Sequence, residues 1–233
     1  MTIISDNLQG VRERIAQACT AVGRDVSAVT LLAVSKTFGP DEVAEAIKAG
    51  QRAFGENYVQ EGVEKVLALR AIHADAGLQW HCIGPVQSNK TRLVAAHFDW
   101  VQSVDRLKIA ERLSEQRPEG LPPLQVCLQV NVDGGANKSG VAPDALSALA
   151  HAVAGLPGLR LRGLMCIPEP APDFDSQRAL FLRARGLFDD LNAQGLNLDT
   201  LSLGMSDDLD AAVAAGSTMV RVGRAIFGSR PRA

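Results

Sequence analysis

The chain has 233 residues, 46% of them hydrophobic and 21% charged, which is the composition of a globular protein with a full core and no disordered tail. Its net charge is −2 and its lysines and arginines are scattered, so a nucleic-acid partner is disfavoured. Because no apolar run has the length of a signal peptide or a membrane span, we expect a cytoplasmic protein without a membrane partner, in one domain covering residues 1–233.

Eight short runs of aliphatic or β-branched residues predict eight strands. They are Thr30–Ser35, Arg52–Gly55, Leu78–Gly84, Trp100–Val104, Leu124–Val132, Leu161–Ile167, Thr200–Gly204 and Met219–Gly223. Between them, apolar residues at helical spacing, such as Val43 and Ile47, predict helices. This α/β alternation indicates a parallel sheet with right-handed crossovers, and eight units favour a single closed (β/α)8 TIM-type barrel. An open doubly wound sheet is the alternative.

Three segments have the residues that begin helices, with acidic side chains at the positive end of the helix dipole. They are Pro40-Asp41-Glu42, Pro143-Asp144 and Ser206-Asp207-Asp208. The segment Pro168–Asp173 is too rich in proline for regular structure and too short for a domain linker, so it is interpreted as a loop at the barrel rim.

The cysteines and histidines are too widely spaced for a metal site or a C-x-x-C pair. They are Cys19, Cys82, Cys127, Cys166, His73, His81, His97 and His151. Three of the cysteines fall inside apolar, strand-like segments, which is typical of reduced core residues. We therefore expect no metal.

Lys36 directly follows the first predicted strand, and the chemistry of such barrels sits at the carboxyl ends of their strands. The low-dielectric walls of a barrel mouth would favour the neutral amine, which is the form that attacks an aldehyde. A solvated lysine at the start of a loop is the other interpretation, and position alone favours it.

The seventh and eighth strands end in Gly204-Met205-Ser206 and Val222-Gly223-Arg224. Loops after these two strands are the usual phosphate site of this fold, because glycine lets backbone N–H groups approach an anion and a serine hydroxyl can donate. A phosphate site is therefore predicted here. Ordinary turn glycines with a serine helix cap are the alternative.

Three further polar residues lie in or beside predicted strands. Arg221 stands between apolar strand residues and needs an acceptor, either a ligand or a salt bridge within the barrel. His81 either faces a ligand or is a core histidine, with the core slightly favoured. Asn57 either binds a ligand or caps the following helix.

Six segments along the chain carry a family resemblance: Ala33–Thr37, Phe54–Glu61, Trp80–Lys90, Arg162–Met165, Leu203–Asp208 and Gly216–Gly228. Through them the chain resembles, nearly end to end, the pyridoxal phosphate homeostasis proteins, which are single-domain relatives of the barrel domain of alanine racemase. The resemblance implies a barrel that holds pyridoxal 5′-phosphate (PLP).

In this family resemblance, Lys36 is the Schiff-base lysine, and Ser206, Gly223 and Arg224 surround the phosphate, Arg224 chiefly through its backbone. Arg221 would face the cofactor. The predicted cofactor-binding residues are Lys36, Asn57, His81, Met205, Ser206, Arg221, Gly223 and Arg224. Two positions depart from many bacterial members: Phe38 stands where a second lysine is common, and Gly135 replaces an acidic residue.

The resemblance implies a monomer that supplies and buffers PLP for apo-enzymes, without robust turnover. A weakly active PLP-dependent amino-acid racemase is the main alternative, and an enzyme acting on a sugar phosphate is a further one. Racemisation needs a base on each face of the substrate carbon. This chain ends shortly after its eighth strand and has one tyrosine, Tyr58, so a second base from an additional domain is not expected.

Overall fold

The computed structural model describes residues 2–134 and 139–229 and has the eight predicted strands. They are β1 (Thr30–Val34), β2 (Ala53–Glu56), β3 (Gln79–Cys82), β4 (Trp100–Val104), β5 (Leu124–Gln129), β6 (Leu159–Met165), β7 (Thr200–Ser202) and β8 (Met219–Val222). Each strand pairs in parallel with the next, and β8 pairs with β1, so the sheet is a closed barrel. The predicted barrel is confirmed, and the open doubly wound sheet is wrong.

Most predicted strand bounds differ from the observed bounds by one to three residues. The largest difference is at β5, which ends at Gln129 although the apolar run continues to Val132. Here Val141 N donates to Gln129 O, and Asn131 N donates to Val141 O. The backbone after β5 therefore leaves the ladder for a loop that hydrophobicity alone does not reveal.

Helices alternate with the strands along the chain. They are α1 (Ile3–Ala21), α2 (Pro40–Lys48), α3 (Val59–Ile72), α4 (Thr91–His97), α5 (Leu107–Glu115), α6 (Pro143–Ala154), α7 (Phe174–Ala193), α8 (Leu209–Ala214) and α9 (Arg224–Phe227), with 3₁₀ turns at Val26–Ala28 and Ala74–Ala76. Helices α2 and α6 begin at Pro40 and Pro143, as predicted, because proline suits the first helical position.

The third predicted helix entry is confirmed to within two residues. Helix α8 begins at Leu209, directly after the predicted segment, and Asp208 is its N-cap residue. The Asp208 carboxylate accepts a hydrogen bond from Met205 N at 2.6 Å, which closes a turn in front of the helix. Ser206 consequently lies in this turn and is not a helix cap.

The side chains of the barrel strands divide into an outer and an inner set because neighbouring residues of a strand face opposite sides of the sheet. Outward-facing residues such as Val220 and Val222 belong to the core between sheet and helices. The inner set includes Leu32, Ala53 and Met219, with a second group at the other side of the barrel made by Trp100, Cys127 and Met165. The interior is thus filled with side chains and is not a channel.

Helix α1 precedes the first strand and was not predicted. Its buried residues Leu8, Val11 and Ile15 recur at helical spacing. This spacing is visible in the sequence and could have predicted the helix. The helix packs against α2, α8 and α9, and Asn7 Nδ2 donates to Ile226 O at 2.9 Å. It therefore braces the part of the barrel where β8 meets β1.

The four cysteines are buried and form no disulfide. Within residues 2–134 and 139–229, no helix is long and apolar enough to cross a membrane.

Candidate cofactor site

A cavity of about 210 Å³ opens at the carboxyl ends of β1, β2, β7 and β8. Seven of the eight predicted binding residues line it: Lys36, Asn57, Met205, Ser206, Arg221, Gly223 and Arg224. The eighth, His81, lies inside the barrel and is not among the residues that line this cavity. The strand ends thus bring together residues from four separate parts of the chain.

The segment that carries Lys36 leaves β1 in a tight turn. Ser35 N donates to Gly55 O at 3.0 Å, which continues the pairing with β2, and Phe38 N donates to Ser35 O at 3.1 Å. Within this turn, Thr37 has a φ of +70°, which is a left-handed conformation that is unusual for a β-branched residue. Lys36 is half-buried and therefore lies at the boundary between the barrel interior and solvent.

The loop after β7 is fixed from its outer side. Gly204 has a φ of +87°, and a Cβ atom there would lie 2.4 Å from Ala212 Cβ, so the position requires glycine. From α1, Arg14 Nη1 donates to Ser206 O at 2.5 Å, and the same guanidinium forms an ion pair with Asp210 at 2.6 Å. Ser206 itself is among the residues that line the cavity.

The backbone N–H groups of Ser206, Gly223 and Arg224 belong to residues that line the cavity, and no backbone carbonyl of the described residues accepts from them. The backbone at Gly223 is close to β1, because a Cβ there would lie 3.1 Å from Val34 O. The Arg224 side chain is 74% exposed and lies 3.4 Å from Asp207 Oδ2. This edge of the cavity therefore offers backbone donors suited to an anion.

Arg221 is 4% exposed and lies in the barrel interior. Its Nη1 donates to Ser202 O and Ser202 Oγ at 2.7 Å, and its Nη2 donates to Cys166 O at 2.9 Å. No carboxylate of the described residues forms an ion pair with it, and burial lowers the pKa of this guanidinium. The arginine is thus held by neutral oxygens while it faces the cavity.

Behind Arg221, a row of polar side chains crosses the barrel interior, and we call Arg221, Ser202, Gln102 and His81 the interior polar row. Ser202 Oγ donates to Gln102 Oε1 at 2.6 Å, and Gln102 Nε2 lies 3.0 Å from His81 Nδ1. The His81 ring stacks on Trp100 with centroids 5.0 Å apart. Since Nδ1 accepts, the imidazole is neutral and carries its proton on Nε2, in line with its burial.

Asn57 follows β2 and faces the cavity. Its Oδ1 is buried and has no hydrogen-bond partner in the part of the chain that the structure describes. The following helix is capped at Tyr58 without a side-chain bond, so the interpretation of Asn57 as a helix cap is wrong. Gly84 makes room for this backbone, because a Cβ there would lie 2.1 Å from Asn57 O.

A larger cavity, about 820 Å³, opens at the opposite, amino-terminal mouth of the barrel. Its charged groups are already paired. Arg162 donates to both oxygens of Asp199 and to Gln125 Oε1, while Arg117 donates to three backbone carbonyls. Because chemistry in these barrels sits at the carboxyl ends of the strands, the smaller cavity is the candidate site.

The two departures from the family pattern have different outcomes. Phe38 is buried and stacks on Phe227 with ring centroids 5.2 Å apart, so the position contributes packing where a second lysine is common. Gly135 lies outside the described residues.

Some residues around the site were missed by the sequence analysis. Gln102 and Ser202 were not selected because each is an ordinary polar residue inside a strand pattern. Lys65 and Glu61 were not selected because they stand on a helix. The inward position of Gln102 and Ser202 in the strand alternation is the signal that could have found them.

The comparisons with known proteins agree over the whole chain. A family model for the N-terminal domain of alanine racemase matches residues 7–231. The pyridoxal phosphate homeostasis protein of Pseudomonas aeruginosa is 60% identical over 230 residues, which are 99% of this chain and 97% of that protein. The chain belongs to the pyridoxal phosphate homeostasis protein family. The resemblance inferred from the motifs is thereby confirmed.

Solved structures extend this relationship. The chain is similar to PipY of Synechococcus elongatus, whose structure was solved with PLP bound. The TM-score is 0.81 and the sequence identity 37%, and the match covers 97% of this chain and 100% of PipY. The alanine racemase of Corynebacterium glutamicum has a TM-score of 0.69 at 18% identity and is matched over 61% of its chain. The second likeness concerns the barrel fold alone.

The buried histidine makes the stability of the protein depend on pH. Burial lowers the pKa of His81 to about 3, so between about pH 6.5 and pH 3 the unfolded chain binds a proton that the folded chain does not. The free energy of unfolding therefore falls by up to about 1.4 kcal/mol per pH unit below 6.5 because of this group. In urea unfolding at several pH values, His81→Gln should lose this part of the slope.

The control for this measurement is His151→Gln, which changes an exposed histidine on α6. It should keep the wild-type slope. Equal pH slopes for wild type and His81→Gln would contradict the assignment of a neutral His81.

Proposed function

We propose that this protein binds PLP covalently through Lys36 Nζ and acts as a cytoplasmic, monomeric reservoir that supplies the cofactor to apo-enzymes. One observation carries the proposal. Lys36, the backbone donors at Ser206, Gly223 and Arg224, and the buried guanidinium of Arg221 all face one cavity of about 210 Å³. When bound, PLP supplies an aldehyde that condenses reversibly with an amine.

The phosphate is assigned to the β7 and β8 side of the cavity. No backbone carbonyl of the described residues accepts from the N–H groups of Ser206, Gly223 and Arg224, and the Ser206 hydroxyl adds a fourth donor. Donors to a charged acceptor form short, strong hydrogen bonds. Because Arg14 fixes Ser206 from outside at 2.5 Å, these donors are held in place before a phosphate arrives.

Arg221 is assigned to the pyridine nitrogen. A guanidinium only donates, so beside that nitrogen it requires an unprotonated acceptor. An unprotonated ring is a weaker electron sink than a protonated one, which disfavours transamination and racemisation. The interior polar row holds this guanidinium through Ser202. Arg221 Nη1 lies 2.7 Å from both Ser202 O and Ser202 Oγ. His81 contributes to cofactor binding through this row.

The racemase alternative needs a second base held in place beside Lys36. Among the described lining residues the candidate is the carboxylate of Asp207, and its side chain is 85% exposed and so poorly fixed for that role. Tyr58 is 55% exposed and does not line the cavity. An enzyme that acts on sugar phosphates would use the phosphate donors. That function does not explain why Lys36 and the buried Arg221 line the same cavity.

The cytoplasmic location is supported by the four free, buried cysteines. Thiols persist in a reducing compartment.

Lys36 should carry the cofactor. Borohydride treatment of the PLP-loaded protein is expected to fix a pyridoxyl group on Lys36, because this amine lines the same cavity as the anion donors. Peptide mass mapping locates the label. Lys36→Ala should give none, while Lys108→Ala, which changes an exposed lysine on α5, should label as wild type does. A label on another lysine would refute the assignment.

Ser206→Ala should weaken PLP binding more than pyridoxal binding, because only PLP has the phosphate. Loss of one hydrogen bond to a charged acceptor costs on the order of 1.5–3 kcal/mol, which is roughly 10- to 150-fold in affinity. Titration of both ligands measures the difference, and Ser147→Ala on α6 is the matched control. Equal losses for the two ligands would remove Ser206 from the phosphate site.

The loaded protein should transfer PLP without turning over amino acids. Incubation with an apo-transaminase is expected to restore transaminase activity, with Lys36→Ala and free PLP at matched concentration as controls. A carrier needs affinity and a reversible bond, whereas catalysis needs groups specific for the transition state. Turnover of an amino acid at about 1–10³ s⁻¹, the range of ordinary enzymes, would replace the carrier proposal with the racemase alternative.

A further inference from the structure

A buried ionic cluster lies behind the segment that carries Lys36. Lys65 extends from α3 with its side chain 3% exposed, and Glu56 at the end of β2 is fully buried. Lys65 Nζ lies 2.8 Å from Glu56 Oε1 and 2.7 Å from Glu61 Oε1. We call Glu56, Glu61 and Lys65 the buried ionic cluster.

The ammonium of Lys65 has a partner for each of its three N–H groups. Two are the carboxylates of Glu56 and Glu61, and the third is the carbonyl oxygen of Ser35 at 2.7 Å. A lysine ammonium has three donors, and all three are used here, so the Lys65 side chain is fixed in orientation. Lys65 is therefore directed at these acceptors, one of which is the carbonyl of the residue before Lys36.

Both neighbours of Lys36 in the chain are bound by this cluster. Ser35 is bound twice, by its carbonyl to Lys65 and by its hydroxyl, which donates to Glu56 Oε1 at 2.5 Å. Thr37 N donates to Glu61 Oε1 at 2.6 Å. Three hydrogen bonds thus hold the backbone immediately before and after Lys36.

The conformation held in this way is an unfavourable one. Thr37 has a φ of +70°, in the left-handed region that a β-branched residue adopts only when its surroundings impose it. Without the bond from Thr37 N to Glu61, this peptide would relax toward an ordinary conformation. The direction in which the Lys36 side chain leaves the backbone would change with it.

We propose that Lys65 is a positioning residue, which directs the amine of Lys36 at the aldehyde by holding Ser35 directly and Thr37 through Glu61. The proposal rests on the covalent role of Lys36 proposed above. Buried ion pairs contribute little net stability compared with apolar residues of the same size, so stability alone does not account for this one. Lys65 Nζ donates to Ser35 O, before Lys36, and pairs with the Glu61 carboxylate that accepts from Thr37 N, after Lys36. A positioning role requires contacts of this kind on both sides of Lys36.

The test compares two ligands that differ only at the reacting carbon. PLP has an aldehyde, whereas pyridoxine 5′-phosphate has an alcohol there and binds through ring and phosphate alone. In Lys65→Met, the Kd for PLP should rise about tenfold or more, while the Kd for pyridoxine 5′-phosphate should change by less than about twofold. The visible absorption of the covalent adduct measures the first, and calorimetry measures both.

Two further variants keep the test decisive. Lys65→Met leaves the Glu56 carboxylate buried without a cation, so Glu56→Gln combined with Lys65→Met removes both charges if the single variant does not fold. Glu61→Ala changes a side chain that is one-third exposed, removes the acceptor of Thr37 N, and should shift the PLP affinity in the same direction. Lys108→Met is the control for a lost surface lysine.

The outcomes separate the two proposals. An equal loss of affinity for both ligands, or no loss for either, in a folded Lys65 variant would overturn the positioning role while leaving Lys36 as the anchor. If the wild-type protein binds PLP no better than pyridoxine 5′-phosphate and forms no reducible adduct, the covalent function itself fails. A selective loss of PLP affinity in Lys65→Met and in Glu61→Ala would support the proposal.

Discussion

The pairing of β8 with β1 is the constraint on which the candidate site depends. Four parallel pairs, from Thr30 with Met219 to Ala33 with Val222, close the barrel. This closure sets the end of β1 beside the end of β8, so that Lys36 and Gly223 face one cavity although they are distant in the sequence. If the strands kept this sequential order in an open sheet, β1 and β8 would lie at opposite edges.

Closure of the barrel also creates an interior that side chains must fill, and some of these side chains are polar. The interior polar row stands where other barrels have apolar side chains, and burying it costs desolvation that its hydrogen bonds reduce, although His81 Nε2 has no partner among the described residues. What the row achieves is the fixed orientation of one guanidinium, bound to Ser202 and Cys166 without a carboxylate. The buried ionic cluster binds the residues on either side of Lys36. One arrangement thus holds a functional side chain directly, and the other holds the backbone around one.

Much of this could be predicted from the sequence because it depends on local periodicity. The eight strands follow from apolar runs, and the positions of Lys36 and Gly223 follow from where those runs end. The early end of β5, the turn before α8 and the interior polar row could not be predicted in this way. Ser202 and Gln102 are 100 residues apart in sequence, and their contact depends on strand register and on the direction of each side chain. Helix α1 could have been predicted from the periodicity of its apolar residues. The hydrogen bond from Lys65 to Ser35 could not, because it depends on how α3 packs against the barrel.

Helix α1 binds the last part of the described barrel, through Asn7 to the carbonyl of Ile226 and through Arg14 to that of Ser206. These contacts join residues separated by 219 and 192 positions. A protein is synthesised from its amino terminus, so α1 leaves the ribosome long before its partners exist. The strands β1 to β6 can begin to associate during translation, but the edge formed by the loops after β7 and β8 needs residues that emerge near the end of synthesis. A nascent chain of this protein therefore completes the candidate site as one of its last folding events.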